Sequence, residues 1–157
     1  MAQNIKAIAV FQNKLKGTVI FEETHNGIKI KVDIEGLSPG KHGFHIHETG
    51  NLLDKCKKCK GHFNPTNQVH GGPNSKNRHI GDLGNITANQ TGICKTQFID
   101  NKIKLTGRKF NIIGRTIVIH KNEDNLGVPK DEESLMTGKA GERLDCAVIG
   151  YMEAYYF

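Results

Sequence analysis

Seven of the eight histidines lie between residues 42 and 120, and their spacing is the first feature that points to chemistry. His45 and His47 stand at i and i+2 within Lys41–Glu48. A strand there turns both imidazoles to one face and sends Phe44 and Ile46 to the other, into a core. Two parallel imidazoles on a rigid strand make half a site for a transition metal. An isolated His-x-His is as readily a pair of surface histidines, but this one has company. His62, His70, His79 and Asp82 follow at separations of eight, nine and three residues, and His120 ends the run Arg115-Thr-Ile-Val-Ile-His120. Three imidazoles and a carboxylate are a tetrahedral zinc set, whereas four imidazoles without sulfur suit copper. His45, His47, His62, His70, His79, His120 and Asp82 are seven ligands, one short of two four-coordinate sites. One imidazole must then serve two ions through its two ring nitrogens.

Holding such a set requires rigid elements, and the clearest is Ile28-Lys-Ile-Lys-Val-Asp-Ile-Glu35. Its strict apolar–charged alternation is the period of a half-buried strand and excludes an amphipathic helix. Gly17–Thr24 reads as its hairpin partner, with Asn26-Gly27 as the turn. Further strands are expected at residues 4–11, 41–47, 83–88, 93–99, 102–107, 114–120 and 145–151, punctuated by Gly, Asn and Pro. Nine short strands without a ten-residue helix argue an antiparallel sandwich or barrel. Residues 48–80 and 121–144 keep no strand period, and ordered loops of that length are usually functional.

At 157 residues the chain is expected to be one domain spanning 1–157. The hydrophobic share of 36% together with 18 glycines excludes disorder by composition. No apolar run is long enough to span a bilayer, so no membrane partner is expected. Lys and Arg (22) exceed Asp and Glu (16), giving +6, a surface that favours anions. A basic nucleic-acid-binding barrel would fit that charge but leaves six imidazoles unexplained. The Lys55–Lys60 cluster also lacks aromatics for base stacking, so no nucleic-acid partner is expected. The amino terminus carries no secretory pattern, which predicts a cytoplasmic, reducing environment. There the four cysteines (Cys56, Cys59, Cys94, Cys146) are too few for a disulfide scaffold, and each is expected to be a free thiol or a metal ligand.

Gly43-Phe-His-Ile-His-Glu48, Gly61-His-Phe-Asn-Pro65, His70-Gly-Gly-Pro73, Arg78-His-Ile-Gly-Asp-Leu-Gly-Asn85, Ile113-Gly-Arg-Thr116 and Gly138-Lys-Ala-Gly-Glu-Arg143 together resemble the copper/zinc superoxide dismutases of the cytosolic, eukaryotic type, nearly end to end. The resemblance implies an all-β fold, an eight-stranded antiparallel Greek-key β-barrel or sandwich with two long functional loops. It implies copper on His45, His47, His62 and His120, and zinc on His62, His70, His79 and Asp82, with His62 bridging. Asp124 would hydrogen-bond one imidazole of each set, and Arg143 would receive the anion. Cys56 and Cys146 would form a disulfide, an exception to the expectation for a reducing compartment, worth up to ~4 kcal/mol in the chain-entropy model. The implied reaction turns superoxide into dioxygen and hydrogen peroxide by alternating reduction and reoxidation of copper. The resemblance likewise implies His62 and Arg143 as the catalytic residues and a structural zinc.

The same resemblance implies a homodimer, with apolar residues supplied by Leu52, Leu53, Ile113, Val148 and Ile149, only some of them facing outward. A copper chaperone enters as a candidate partner. A chaperone built on this barrel, the alternative function, would bring a separate metal-binding domain and lose copper ligands; neither holds here. The family's channel lysine is replaced by Met136, while Glu132 and Glu133 match, and Lys130 and Lys139 are expected to compensate for the lost charge. Cys59 is an additional loop thiol that could compete with Cys56 for Cys146. Cys94 is read as an ordinary strand residue, His42 as a structural histidine and His25 as solvated.

Overall fold

The alternation in residues 28–35 becomes a ladder in the computed structural model, which describes residues 4–157. Ile28, Ile30, Val32 and Ile34 face inward and are buried, each contributing roughly 1.5–3 kcal/mol of hydrophobic stabilisation. The strands are β1 (Lys6–Gln12), β2 (Lys16–Thr24), β3 (Gly27–Glu35), β4 (Gly40–His47), β5 (Asp82–Ala88), β6 (Ile93–Asp100), β7 (Thr116–His120), β8 (Arg143–Val148) and β9 (Gly150–Tyr151). One six-residue helix, α1 (Glu132–Thr137), sits in the second long loop. One sheet runs β6-β3-β2-β1-β9 and the other β5-β4-β7-β8, and every pairing is antiparallel. The chain leaves β3 for the second sheet and returns as β6 beside β3, the Greek-key crossover. The two sheets do not close on each other, so the architecture is a sandwich, its core filled by Phe21, Phe44, Ile46, Ile117 and Ile119 among others.

Several expectations shift. The hairpin turn consists of His25 and Asn26, with Gly27 already paired to Thr24 and the loop closed by Thr24 Oγ1 donating to the Gly27 carbonyl (2.8 Å). Gly27 is required by its φ of +133° and because a Cβ there would meet the Asp100 carbonyl oxygen at 2.6 Å. The strand expected at 102–107 does not form. Ile103 and Leu105 do alternate into the core, but their backbone has no partner strand, only an isolated bridge at Lys104. The Lys102 and Ile103 amides are instead taken up by the Asp100 carboxylate, at 2.9 and 3.0 Å. The run 145–151 is divided at Ile149: β8 belongs to one sheet and β9 to the other.

β4 carries the site. Phe44 and Ile46 enter the core as expected, and His45 and His47, on the opposite face, are buried as well. A bulge between Gly43 and His45 opens the β4–β5 ladder, and the two long loops cover the outer face. The first, between β4 and β5, is laid against the strand by a bridge pairing His47 with His62.

Candidate metal centre

The seven expected ligands converge in two overlapping groups, and His62 belongs to both. One is His45, His47, His62 and His120; the other is His62, His70, His79 and Asp82; within each, the ligand atoms lie within 4.8 Å of one another. In the second group the Asp82 carboxylate is the organiser. Its Oδ2 accepts from the amides of Gly71 (3.0 Å) and His79 (2.8 Å). Its Oδ1 faces the Nδ1 atoms of His62, His70 and His79 at 2.9, 3.0 and 3.2 Å. A tetrahedron built on bonds of about 2.0–2.1 Å has edges of about 3.3–3.4 Å, close to these separations, so the donor set fits one zinc ion.

In the first group, each ring is fixed through the nitrogen that faces away from the cluster. His47 Nδ1 donates to the Lys60 carbonyl (2.7 Å) and His120 Nδ1 to that of Gly141 (3.0 Å). Their Nε2 atoms therefore turn toward each other, 3.3 Å apart. His45 is held through Nε2, 2.6 Å from Asp124 Oδ2. His62 offers Nδ1 to the zinc-type set, which leaves Nε2 for this one. His45 Nδ1, in the first group, is buried with no hydrogen-bond partner among the described residues, and His70 Nδ1, in the second, faces only the Asp82 oxygen that His62 and His79 also share. A buried polar atom without a partner is costly in a folded protein, and an ion satisfies it.

Asp124 joins the halves, since its other oxygen, Oδ1, lies 2.8 Å from His70 Nε2. It is clamped in turn by Asn85, whose Oδ1 accepts from the Asp124 amide (2.7 Å) and whose Nδ2 donates to the Asp124 carbonyl (2.9 Å). Gly138 lies over this pair at φ +70°, and any Cβ there would run into the Asp124 carboxylate and the His70 ring. Asn85 and Gly138 lay within motifs visible in the sequence, but their part in seating Asp124 is a contact across the fold that spacing does not reveal.

The two halves differ in charge. Burial first, then the neighbouring His62 and His120, push His45 well below the usual histidine range; burial, His62 and His120 do the same to His47. His120 falls to about 4, chiefly through burial. His62 is lowered by burial against the pull of Asp82. His70 runs the other way: burial opposes its charge, but the Asp124 and Asp82 carboxylates win and raise it to about 9. Asp82 is held far below the carboxylate range: burial would raise it, and hydrogen bonds from His62, His70 and His79 prevail.

Arg143 begins β8 and reaches across to the first loop, with Nη1 donating to the Cys56 carbonyl (2.7 Å) and lying 3.4 Å from Cys59 Sγ. Its charge contributes to the lowering at His47 and His120, which places it beside that half. Cys56 and Cys146 are joined in a disulfide spanning 90 residues, with Cα atoms 6.1 Å apart, while Cys59 and Cys94 are free and buried. The expectation of four unpaired cysteines is thus overturned for this pair. His42 is buried between the carbonyls of Ser38 and His120, both at 2.8 Å, and takes no part in either group; His25 is exposed. Met136 is exposed, and Lys139, expected to replace the missing charge, is paired with Asp131 at 2.8 Å.

The fold and this pair of sites define a β-sandwich metalloprotein in which two adjoining ions share an imidazole. The family profile of copper/zinc superoxide dismutase (SODC) matches residues 15–149. A superoxide dismutase [Cu-Zn] of Paramecium bursaria Chlorella virus 1 is 55% identical over 148 residues, covering 94% of this chain and 79% of the relative. Superoxide dismutase [Cu-Zn] A of Xenopus laevis is 46% identical over 150 residues, 94% of this chain and 98% of the relative. The extracellular superoxide dismutase [Cu-Zn] of Drosophila melanogaster is 48% identical over 139 residues, 87% and 76% respectively. The crystal structure of the clock protein EA4 superposes with a TM-score of 0.90 at 38% identity, covering 97% of this chain and 98% of that one. This chain belongs to the copper/zinc superoxide dismutase family.

Proposed function

We propose that the chain disproportionates superoxide, two superoxide anions and two protons giving dioxygen and hydrogen peroxide, at a copper held by His45, His47, His62 and His120. Zinc is held by His62, His70, His79 and Asp82. The observation that carries this reading is the pair of overlapping donor sets sharing His62, with His45 Nδ1 buried and unpartnered in the first. Copper supplies one-electron exchange in both directions, and zinc a fixed positive charge.

The chain's own contributions are electrostatic and protonic. Arg143 receives the anion. Its Nη1 is committed to the Cys56 carbonyl, which fixes the guanidinium plane and leaves the remaining N–H groups to bind a small anion. His62 would hold and release a proton at Nε2 only when that nitrogen is not engaged by copper, because its Nδ1 is occupied among His79 and Asp82 and the ring cannot turn away. Asp124 acts through the imidazoles, orienting His45 and His70 together.

Leu52, Leu53 and Val148 are exposed while Ile149 is buried. A Cβ on Gly50 would lie 3.6 Å from Val148 Cγ2, which brings the start of the first loop beside the end of β8, and we assign the exposed Leu52, Leu53 and Val148 to the surface that pairs two copies of the chain. Two free, buried thiols support residence in the cytoplasm. Metal analysis tests the central claim. One copper and one zinc per chain, with superoxide removal that chelation abolishes and copper restores, is the expected result; purified copper-loaded protein that leaves superoxide at its spontaneous decay rate rejects it. A mass near twice 17.4 kDa in sedimentation supports the dimer, and 17.4 kDa rejects it.

A further inference from the structure

Cys59 is not used by the chemistry above, yet it is buried in one apolar cluster with Cys56, Cys146 and Val118. It follows Cys56 by three residues at the end of a 3-10 turn, Lys57–Cys59. The turn is closed by the Cys59 amide on the Cys56 carbonyl (3.4 Å), and Cys59 Sγ donates to the same carbonyl at 2.8 Å. A hydrogen-bonded four-residue turn keeps its end Cα atoms within about 7 Å, near the span that a disulfide requires. The segment is also strained: Asp54, Lys55 and Cys56 are successive non-glycine residues in the left-handed region, at φ of 54°, 51° and 71°, and Lys60 follows at 68°. Side chains tolerate that conformation only when the surroundings impose it, and the link from Cys56 to Cys146 is one such constraint.

We propose that Cys59 is a resolving thiol that can take Cys56 from Cys146 by internal thiol–disulfide exchange. The Cys59 thiolate attacks Cys56 Sγ, a Cys56–Cys59 bond forms, the Cys56–Cys146 bond breaks, and Cys146 leaves as a thiolate that takes up the proton Cys59 gave up. One disulfide and one thiol are present before and after, so no oxidant or reductant is consumed. The product replaces a link across 90 residues by a local ring, and the first loop is no longer covalently fastened to β8. Cys146 then opens on a cleft of about 910 Å³ that it shares with Lys14, Lys55, Lys57 and Arg143, within reach of small reagents. Because Arg143 Nη1 is anchored on the Cys56 carbonyl, movement of the released loop would also shift the guanidinium. The exchange itself stands apart from the role given to Arg143; only its effect on turnover depends on it. Burial raises the Cys59 thiol while Arg143 opposes it, so in the closed fold exchange is slow and local opening of the turn admits it.

The metal-loaded protein tests this directly. Wild type, Cys59→Ser and Cys59→Ala are equilibrated with N-ethylmaleimide in sub-denaturing urea, quenched in acid and digested with a lysine-specific protease, which separates the two cysteines at Lys57 and Lys58. The expected wild-type product carries maleimide on Cys146 and a bridge between the Cys56 and Cys59 peptides, and both substituted proteins keep Cys146 unlabelled. Label confined to Cys59 and Cys94 with Cys56 still joined to Cys146 overturns the proposal. So does the absence of any label, or a Cys59–Cys146 bridge with the label on Cys56.

Discussion

The two halves of the metal centre use the same side chain in opposite electrostatic settings. The His45–His47–His120 half rests mainly on strands β4 and β7, contains no carboxylate among its ligands, and keeps its imidazoles neutral through burial and their mutual repulsion. The half around Asp82 rests on the first loop and the start of β5, and two carboxylates raise His70 toward its charged form, whose extra proton a bound cation would displace. A ligand set that is neutral unaided suits an ion whose own charge alternates, and a set built around a buried anion suits a cation whose charge stays put. Asp124 is the element that makes the two halves answer to each other.

The sharpest way to break this division is to remove one half. His47→Ala should abolish superoxide removal and copper binding while zinc content stays near one per chain. Asp82→Ala should do the reverse, losing zinc with copper retained, both read by elemental mass spectrometry; joint loss of both ions in either variant would show that the halves are not separable. Asp124→Asn should weaken both ions together, by about 10–100-fold each as is typical of orienting partners, and a loss confined to one ion would remove it as the link.

Arg143→Lys should lower kcat/KM about tenfold, equivalent to about 1.4 kcal/mol, with metal content unchanged. In wild type the rate should fall as ionic strength rises; a flat salt response would reject guidance by charge. The smallest effect belongs to α1. Asp131 caps it and is held near 2 first by the hydrogen bond from Lys139, below its ordinary 3.8. A depressed carboxyl stabilises the fold above about pH 4 and loses that contribution as pH falls through 2. Melting temperatures of wild type and Asp131→Asn should therefore differ slightly at neutral pH and converge toward pH 2.

Much of this is legible in the sequence. The alternation at 28–35 specified β3, and His-x-His on a strand fixed which faces of β4 meet the core and the site. The ligand count alone required a shared imidazole. What escaped was long-range. Ile103 and Leu105 show a strand's period because they fill the core, but only the fold reveals that no strand lies beside them. The carbonyls of Lys60 and Gly141, which set the tautomers of His47 and His120, carry no sequence signal at all. Nor did the sequence show that Lys139 spends its charge on Asp131.

Arg78, read in the sequence only as part of a motif, has a consequence for how the centre is loaded. Its guanidinium is buried within the first loop, donating to the carbonyls of Pro73, His79 and Ile80 and to Asp100 on β6 at 2.7 to 3.0 Å. The loop bearing His70 and His79 therefore takes its shape from a protein-to-protein brace. Metal uptake in such a cradle orders little backbone, unlike small domains that fold around their ion. Zinc titration in a calorimeter should accordingly show a heat-capacity change far smaller than that of coupled folding, and capture should run at the pace of encounter.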